Sequence, residues 1–348
     1  MNDHYNNRIP PPSRYDPYRG APPPYYPRAP RMGPRLDPYA RPLHLNANII
    51  GGGLLLVEIV SYFTAFSLSE ILMALFPANF IMDHYSLILQ VLGLAVHAIG
   101  FAVPCVFMVT LTGIPHAAAF PMRRVKLSFA LPAVFFSMGA CYVGVSLSSL
   151  LSLLLQNTLG VTPGMSDFTP PVGGMATVFY FLSVVLSPAI FEELVFRGVI
   201  MQSLRRFGDG FALSVSAVLF ALCHGNLVQG PNALVMGFVI GYFVLRTGSL
   251  SIGMLIHFVN NGVSAVITVV SASWETAGLV LYGMTILTYI LGGLIAGVYL
   301  LLAYPRMFRT IPSGYPLSEG KKQRTFYTAF PVIGYVGYSL YKMWSSLL

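Results

Sequence analysis

Residues 174–202 read GMATVFYFLSVVLSPAIFEELVFRGVIMQ. The stretch is long enough to cross a bilayer, since about 20 residues cover roughly 30 Å of hydrocarbon. Yet it carries Glu192, Glu193 and Arg197 at a depth where every charge needs a reason. Glu193 and Arg197 are four residues apart, so they share a helix face and can pair. Glu192 is turned by about 100° from its neighbour and has no partner within the motif. A free carboxylate at that depth suits a general base. The plainer alternative is a pair of glutamates that lock helices together.

Outward from this stretch, the chain of 348 residues is 55% hydrophobic and only 9% charged, with a mean hydropathy of +0.68. A soluble chain carries about 25% charged residues. Too little charge is available to coat a globular surface, which excludes a soluble domain. Spans are expected near 49–76, 86–112, 127–155, 174–202, 211–226, 231–246, 250–271 and 277–303, with a weaker ninth candidate at 326–347. The fifth and sixth are short. The fold class is therefore all-α, a polytopic transmembrane helical bundle of about eight spans, or nine if the last one crosses. Gly237 with Gly241 and Gly293 with Gly297 place small residues one turn apart, which is read as ordinary close packing. Cys105, Cys141 and Cys223 lie in apolar runs without metal-type spacing and are read as packing residues.

Residues 1–45 differ from the rest. Twelve prolines, six tyrosines and seven arginines fall here with no continuous apolar run. Proline at this density removes helix donors, so a disordered arm is expected. Pro22-Pro23-Pro24-Tyr25 fits a ligand for small aromatic-lined domains, a match that arises readily by chance in such composition. No apolar stretch with a cleavage site is present, so no signal peptide is expected. The domain reading is an arm at 1–45, a transmembrane domain at 46–304 and a cytoplasmic segment with the candidate ninth span at 305–348.

The net charge of +8 follows membrane topology and calls for no nucleic acid. With the arm in the cytoplasm, Arg123, Arg124, Lys126, Arg205, Arg206, Arg246, Arg306, Arg309, Lys321, Lys322 and Arg324 all fall inside. The opposite connections, near 77–85, 156–173, 227–230 and 272–276, hold no Lys or Arg. Arg197 and Lys342 stand outside this pattern.

Two further spans carry histidines. His224 follows Phe220 by four residues, and Asn261 follows His257 by four, so an imidazole and a carboxamide share one face. A lone buried histidine is usually a satisfied core residue, but two of them near a double-glutamate span weaken that reading. The ordered trio Glu-Glu-x-x-x-Arg, Phe-x-x-x-His and His-x-x-x-Asn resembles the CPBP intramembrane proteases. That family, also called ABI, includes the type II CAAX prenyl endopeptidases. The resemblance covers about 174–275.

By that resemblance, Glu192 and His224 hold and activate a water, His257 and Asn261 stabilise an oxyanion, and Glu193 and Arg197 brace the helix. Asn260 is a competing donor, with the four-residue spacing favouring Asn261. The partners implied are a membrane-associated peptide or protein substrate and the lipid bilayer. A prenylated C-terminus, a leader peptide and a membrane regulator all remain open as substrates. No cofactor is required by the glutamate-activated route. The alternative is zinc held by Glu192, His224 and His257.

Depth from the cytoplasmic ends comes to about 15 Å for Glu192, about 10 Å for His257 and about 20 Å for His224. The cavity is expected to open toward the cytoplasm, and His224 lies too deep for its partners. Glu58 is read as an inward-facing, hydrogen-bonded carboxyl and Glu70 as nearer the outer interface. His97 has no acidic neighbour in sequence and carries little weight as a catalyst; His116 is a loop residue. No Gly-x-Ser-x-Gly or His-Glu-x-x-His frame occurs. The alternative readings are an ion-coupled membrane transporter, which usually shows internal repeats that are not found here, and a non-catalytic immunity or binding membrane protein, against which the intact Glu192, His224, His257 and Asn261 argue.

Overall fold

In lipid every backbone N–H and C=O must find its partner within the segment, so apolar runs of this length become helices. The computed structural model describes residues 38–161, 170–308 and 313–347, and among them no strand occurs. The main helices are α1 (Ala40–Leu75), α2 (Tyr85–Thr112), α3 (Leu127–Leu159), α4 (Gly174–Phe207), α5 (Asp209–Cys223), α6 (Gly230–Thr247), α7 (Leu250–Ser273), α8 (Glu275–Ala303), α9 (Glu319–Tyr327) and α10 (Phe330–Ser345). Six of these, α1–α4, α7 and α8, are long and apolar enough to cross a membrane. The other two of the eight expected spans are α5 and α6, of 15 and 18 residues.

The expected arm falls largely outside the described residues, as does its Pro22-Pro23-Pro24-Tyr25 motif. Its last part does not: helix begins at Ala40, before the boundary expected at residue 46. Pro42 is compatible with this because the first turn of a helix has no use for its missing N–H. Leu43 and Ala47 are fully buried, and Asn46 donates to Ser203 O at 3.2 Å, so this end is drawn into the bundle.

The stretch expected as one span at 326–347 is two helices with a break at Thr328–Ala329. Pro331 cannot continue α9 but suits the first turn of α10. α10 lies along α1, with Val332 backbone against Gly51. His116, expected in a loop, opens the short helix His116–Ala119, which seats against Gly198 of α4.

α4 is the centre. Val195, Phe196, Val199, Ile200, Met201 and Leu204 are all fully buried. α2, α5 and α7 pack around it, α6 bridges α5 to α3 and α7, and α8 covers α3 and α7. Close approach uses small residues: Gly237 lies against Ala217, and Gly293 against Gly139. Gly237 and Gly293 thus pack as ordinary helix contacts.

Two segments of α4, Leu182–Leu186 and Leu194–Ile200, are π-helical and flank the glutamates. A π turn widens the hydrogen-bond ladder, re-aims side chains and frees carbonyls, and such turns recur at functional sites. Because α4 runs on to Phe207, Glu192 lies fifteen residues before its end, and His224 lies as far beyond the start of α5. Both are about 22 Å from the corner joining the two helices. His224 and Glu192 thus lie equally far from that corner, which removes the depth mismatch expected between these two.

Candidate active site

The two adjacent glutamates of α4 enter unlike surroundings. Glu193 and Arg197 are both fully buried, and Arg197 Nη1 donates to Glu193 Oε1 at 2.8 Å. The guanidinium lies 4.1 Å from the centre of the Phe220 ring on α5, and its Nη2 donates to Gly237 O of α6 at 3.4 Å. From α7, His257 Nδ1 approaches the same Glu193 oxygen at 2.9 Å. A carboxylate oxygen only accepts, so Nδ1 carries the proton and Nε2 is the nitrogen left for other work. His257 is 2% exposed. One carboxylate therefore ties α4 to α7, while its arginine ties α4 to α5 and α6.

Glu192 is only partly covered, with 14% of its side chain exposed. Its Oε1 lies 3.0 Å from His97 Nε2 on α2. His97 Nδ1 lies 2.9 Å from Ser187 Oγ, back on α4, and the ring stacks on Phe101 at 4.6 Å between centroids. His97, read from sequence as lacking an acidic partner, is in fact the partner of Glu192. Ninety-five positions separate the two in the chain, so no local motif announces the pair. The only signal was a histidine within a span, where polar groups require bonding.

His224 caps α5, and its Nδ1 donates to Phe220 O at 2.9 Å. That bond leaves Nε2 as an acceptor. His97, His224 and His257 are all within electrostatic range of Glu192. Gly225 follows with φ +58°, a conformation that suits glycine. Its missing side chain leaves room for Lys342 of α10, which reaches both oxygens of Glu58 on α1 at 3.1 Å. Lys342, outside the charge pattern of the connections, and Glu58, expected to be hydrogen-bonded and inward, are thus one ion pair.

Asn261 Nδ2 donates to Val184 O at 3.0 Å, a carbonyl within the first π segment of α4. Asn260 Nδ2 donates to Asn261 Oδ1 at 3.2 Å. Asn261 therefore keeps one amide N–H for a further acceptor, and Asn260 orients it. Among the described residues no group of three or more His, Cys, Asp or Glu is placed to hold a metal. Glu192, His224 and His257 thus form no such group.

Residues 174–263 match a family model described as "Type II CAAX prenyl endopeptidase Rce1-like". The match runs from the start of α4 into α7 and includes Glu192, Glu193, Arg197, His224, His257 and Asn261. It bears out the resemblance drawn from the three motifs. No curated protein and no solved structure matches the chain. An integral membrane protein with a segment similar to the CAAX-type intramembrane proteases is thereby defined.

Proposed function

We propose that the chain is an intramembrane endopeptidase in which Glu192 and His224 activate a water. The observation that carries this reading is the division between the glutamates. Glu193 is fully buried, with Arg197 and His257 both on its Oε1 and its Oε2 sealed from solvent, whereas Glu192 is 14% exposed and, among the described residues, is bonded on Oε1 by His97 alone. The match to a prenyl endopeptidase model supplies the reaction class.

The steps follow from the donors and acceptors. Water lies between Glu192 and His224 Nε2, and Glu192 takes its proton as the oxygen attacks the peptide carbonyl. The oxyanion accepts the spare N–H of Asn261 and a proton on His257 Nε2. His257 Nδ1–H is committed to Glu193, so donation from Nε2 needs a second proton on the ring. Collapse breaks the C–N bond, and Glu192 returns the proton to the leaving amine. Among the described residues no group of three or more His, Cys, Asp or Glu is placed to hold a metal, so no step is routed through one.

The substrate class is a peptide held at the membrane, with a prenylated C-terminal segment as the first candidate. The full chain, reconstituted in lipid vesicles, is expected to release the C-terminal tripeptide from a farnesylated, fluorophore-quencher peptide. No cleavage by a folded preparation, or unimpaired cleavage by Glu192→Gln, contradicts the proposal.

We also place the N-terminus in the cytoplasm, with the cavity opening to that side, on the distribution of basic residues. A cysteine at Asn157 should react with an impermeant reagent from outside only, and one at Arg124 from the cytoplasm only. The reverse pattern inverts the topology.

A further inference from the structure

Neither the three motifs nor the proposed water-attack scheme uses α2, yet α2 supplies the only side chain seen to bond Glu192 among the described residues. We infer that His97, held from behind by Ser187, is a positioning residue that fixes the Glu192 carboxylate for attack. The inference rests on the reading of Glu192 as the base.

Three observations lead to it. First, both ring nitrogens of His97 are engaged, at 2.9 Å to Ser187 Oγ and 3.0 Å to Glu192 Oε1. Ser187 is 2% exposed, and its hydroxyl can donate to Nδ1. That leaves the proton on Nε2, where the carboxylate needs a donor, so the partner of one nitrogen sets the tautomer of the other. Second, the ring plane is set by stacking on Phe101 at 26°. The terminal torsion of a glutamate is broad, so an unheld carboxylate samples many orientations. A donor of fixed position and direction selects one, taking Oε1 and leaving Oε2 for water. Third, the line is less enclosed than the neighbouring pair: His97 is 21% exposed and Glu192 14%, against 0% for both Glu193 and Arg197. Ser187 itself opens the short α-helical stretch between the two π segments, so the helix irregularity and the line coincide.

The test uses the full chain in vesicles with the farnesylated quenched peptide. His97→Phe keeps ring volume and stacking but removes both nitrogens. It should lower kcat by about 10–10²-fold with KM unchanged, the usual effect of losing a residue that orients a catalytic group. His97→Gln restores an amide donor and should recover most of the rate. Ser187→Ala should show a smaller loss. A fully active His97→Phe beside an inactive Glu192→Gln overturns this inference and leaves the protease reading standing. An active Glu192→Gln, or a wild type that cleaves nothing, defeats the protease reading instead. In that event ¹⁵N NMR of labelled histidine, with His97→Phe for assignment, decides. The His97 signal should be the Nε2-protonated tautomer and should shift on Glu192→Gln; a signal indifferent to that substitution overturns the inference.

Discussion

The surroundings of Glu193 and of Glu192 differ although one peptide bond separates them. Around Glu193, a guanidinium, an imidazole and an aromatic ring from three helices close on a carboxylate that water does not reach. Around Glu192, His97, backed by Ser187, bonds one oxygen, and 14% of the side chain stays exposed. The 100° turn between successive helical residues sends the two side chains to different helices, and on the proposed reading exposure then separates holding the bundle together from meeting a substrate. The ion pair of Glu58 and Lys342 is a third case, joining α1 to α10 with both partners partly exposed.

The first way to break the comparison is at its catalytic end. His224→Ala removes an acceptor for the attacking water and should reduce peptide hydrolysis by about 10²–10⁴-fold, with the fold retained by circular dichroism. A loss below tenfold would move water activation onto Glu192 alone.

At the sealed end, Arg197→Met leaves Glu193 buried without its strongest partner. Breaking such a pair costs about 3–5 kcal/mol, which should appear as a clearly lower thermal midpoint in bilayers. An unchanged midpoint would mean that His257 alone satisfies the carboxylate.

Asn261 connects the two ends, since it is anchored to the π segment of α4 and keeps a second amide N–H for the proposed oxyanion. Asn261→Ala should lower kcat by about 10²–10³-fold and leave KM nearly unaltered. A rise in KM at constant kcat would instead assign it to substrate binding.

The smallest effect belongs to the outer ion pair. With Lys342 and Glu58 partly exposed, Lys342→Met should shift stability by about 1 kcal/mol or less. A loss as large as that of Arg197→Met would show that exposure does not distinguish the two pairs.

The helices were legible because hydropathy and length decide them: the bounds of α2, α3, α7 and α8 lie within a few residues of those read from the sequence. Glu193–Arg197 was legible because four-residue spacing is a local signal. His97–Glu192 and Glu58–Lys342 were not, because each joins helices far apart in the chain and neither pair has a pattern of its own. The π segments escaped for another reason. Their sequences are as apolar as the α-helical turns around them, and the change of ladder shows only in backbone geometry. The start of α1 escaped because prolines dominate the composition of residues 1–45, while one proline in a first turn is harmless to a helix.

The most direct test of the division between the glutamates is one paired measurement. Glu192→Gln and Glu193→Gln are reconstituted in the same vesicles, and thermal unfolding and hydrolysis of the farnesylated peptide are recorded on each. Glu192→Gln is expected to unfold with the wild type and to cleave nothing. Glu193→Gln is expected to unfold well below it while its folded fraction retains measurable cleavage. Equal losses of stability and of activity in the two variants, or cleavage by Glu192→Gln, would contradict the account.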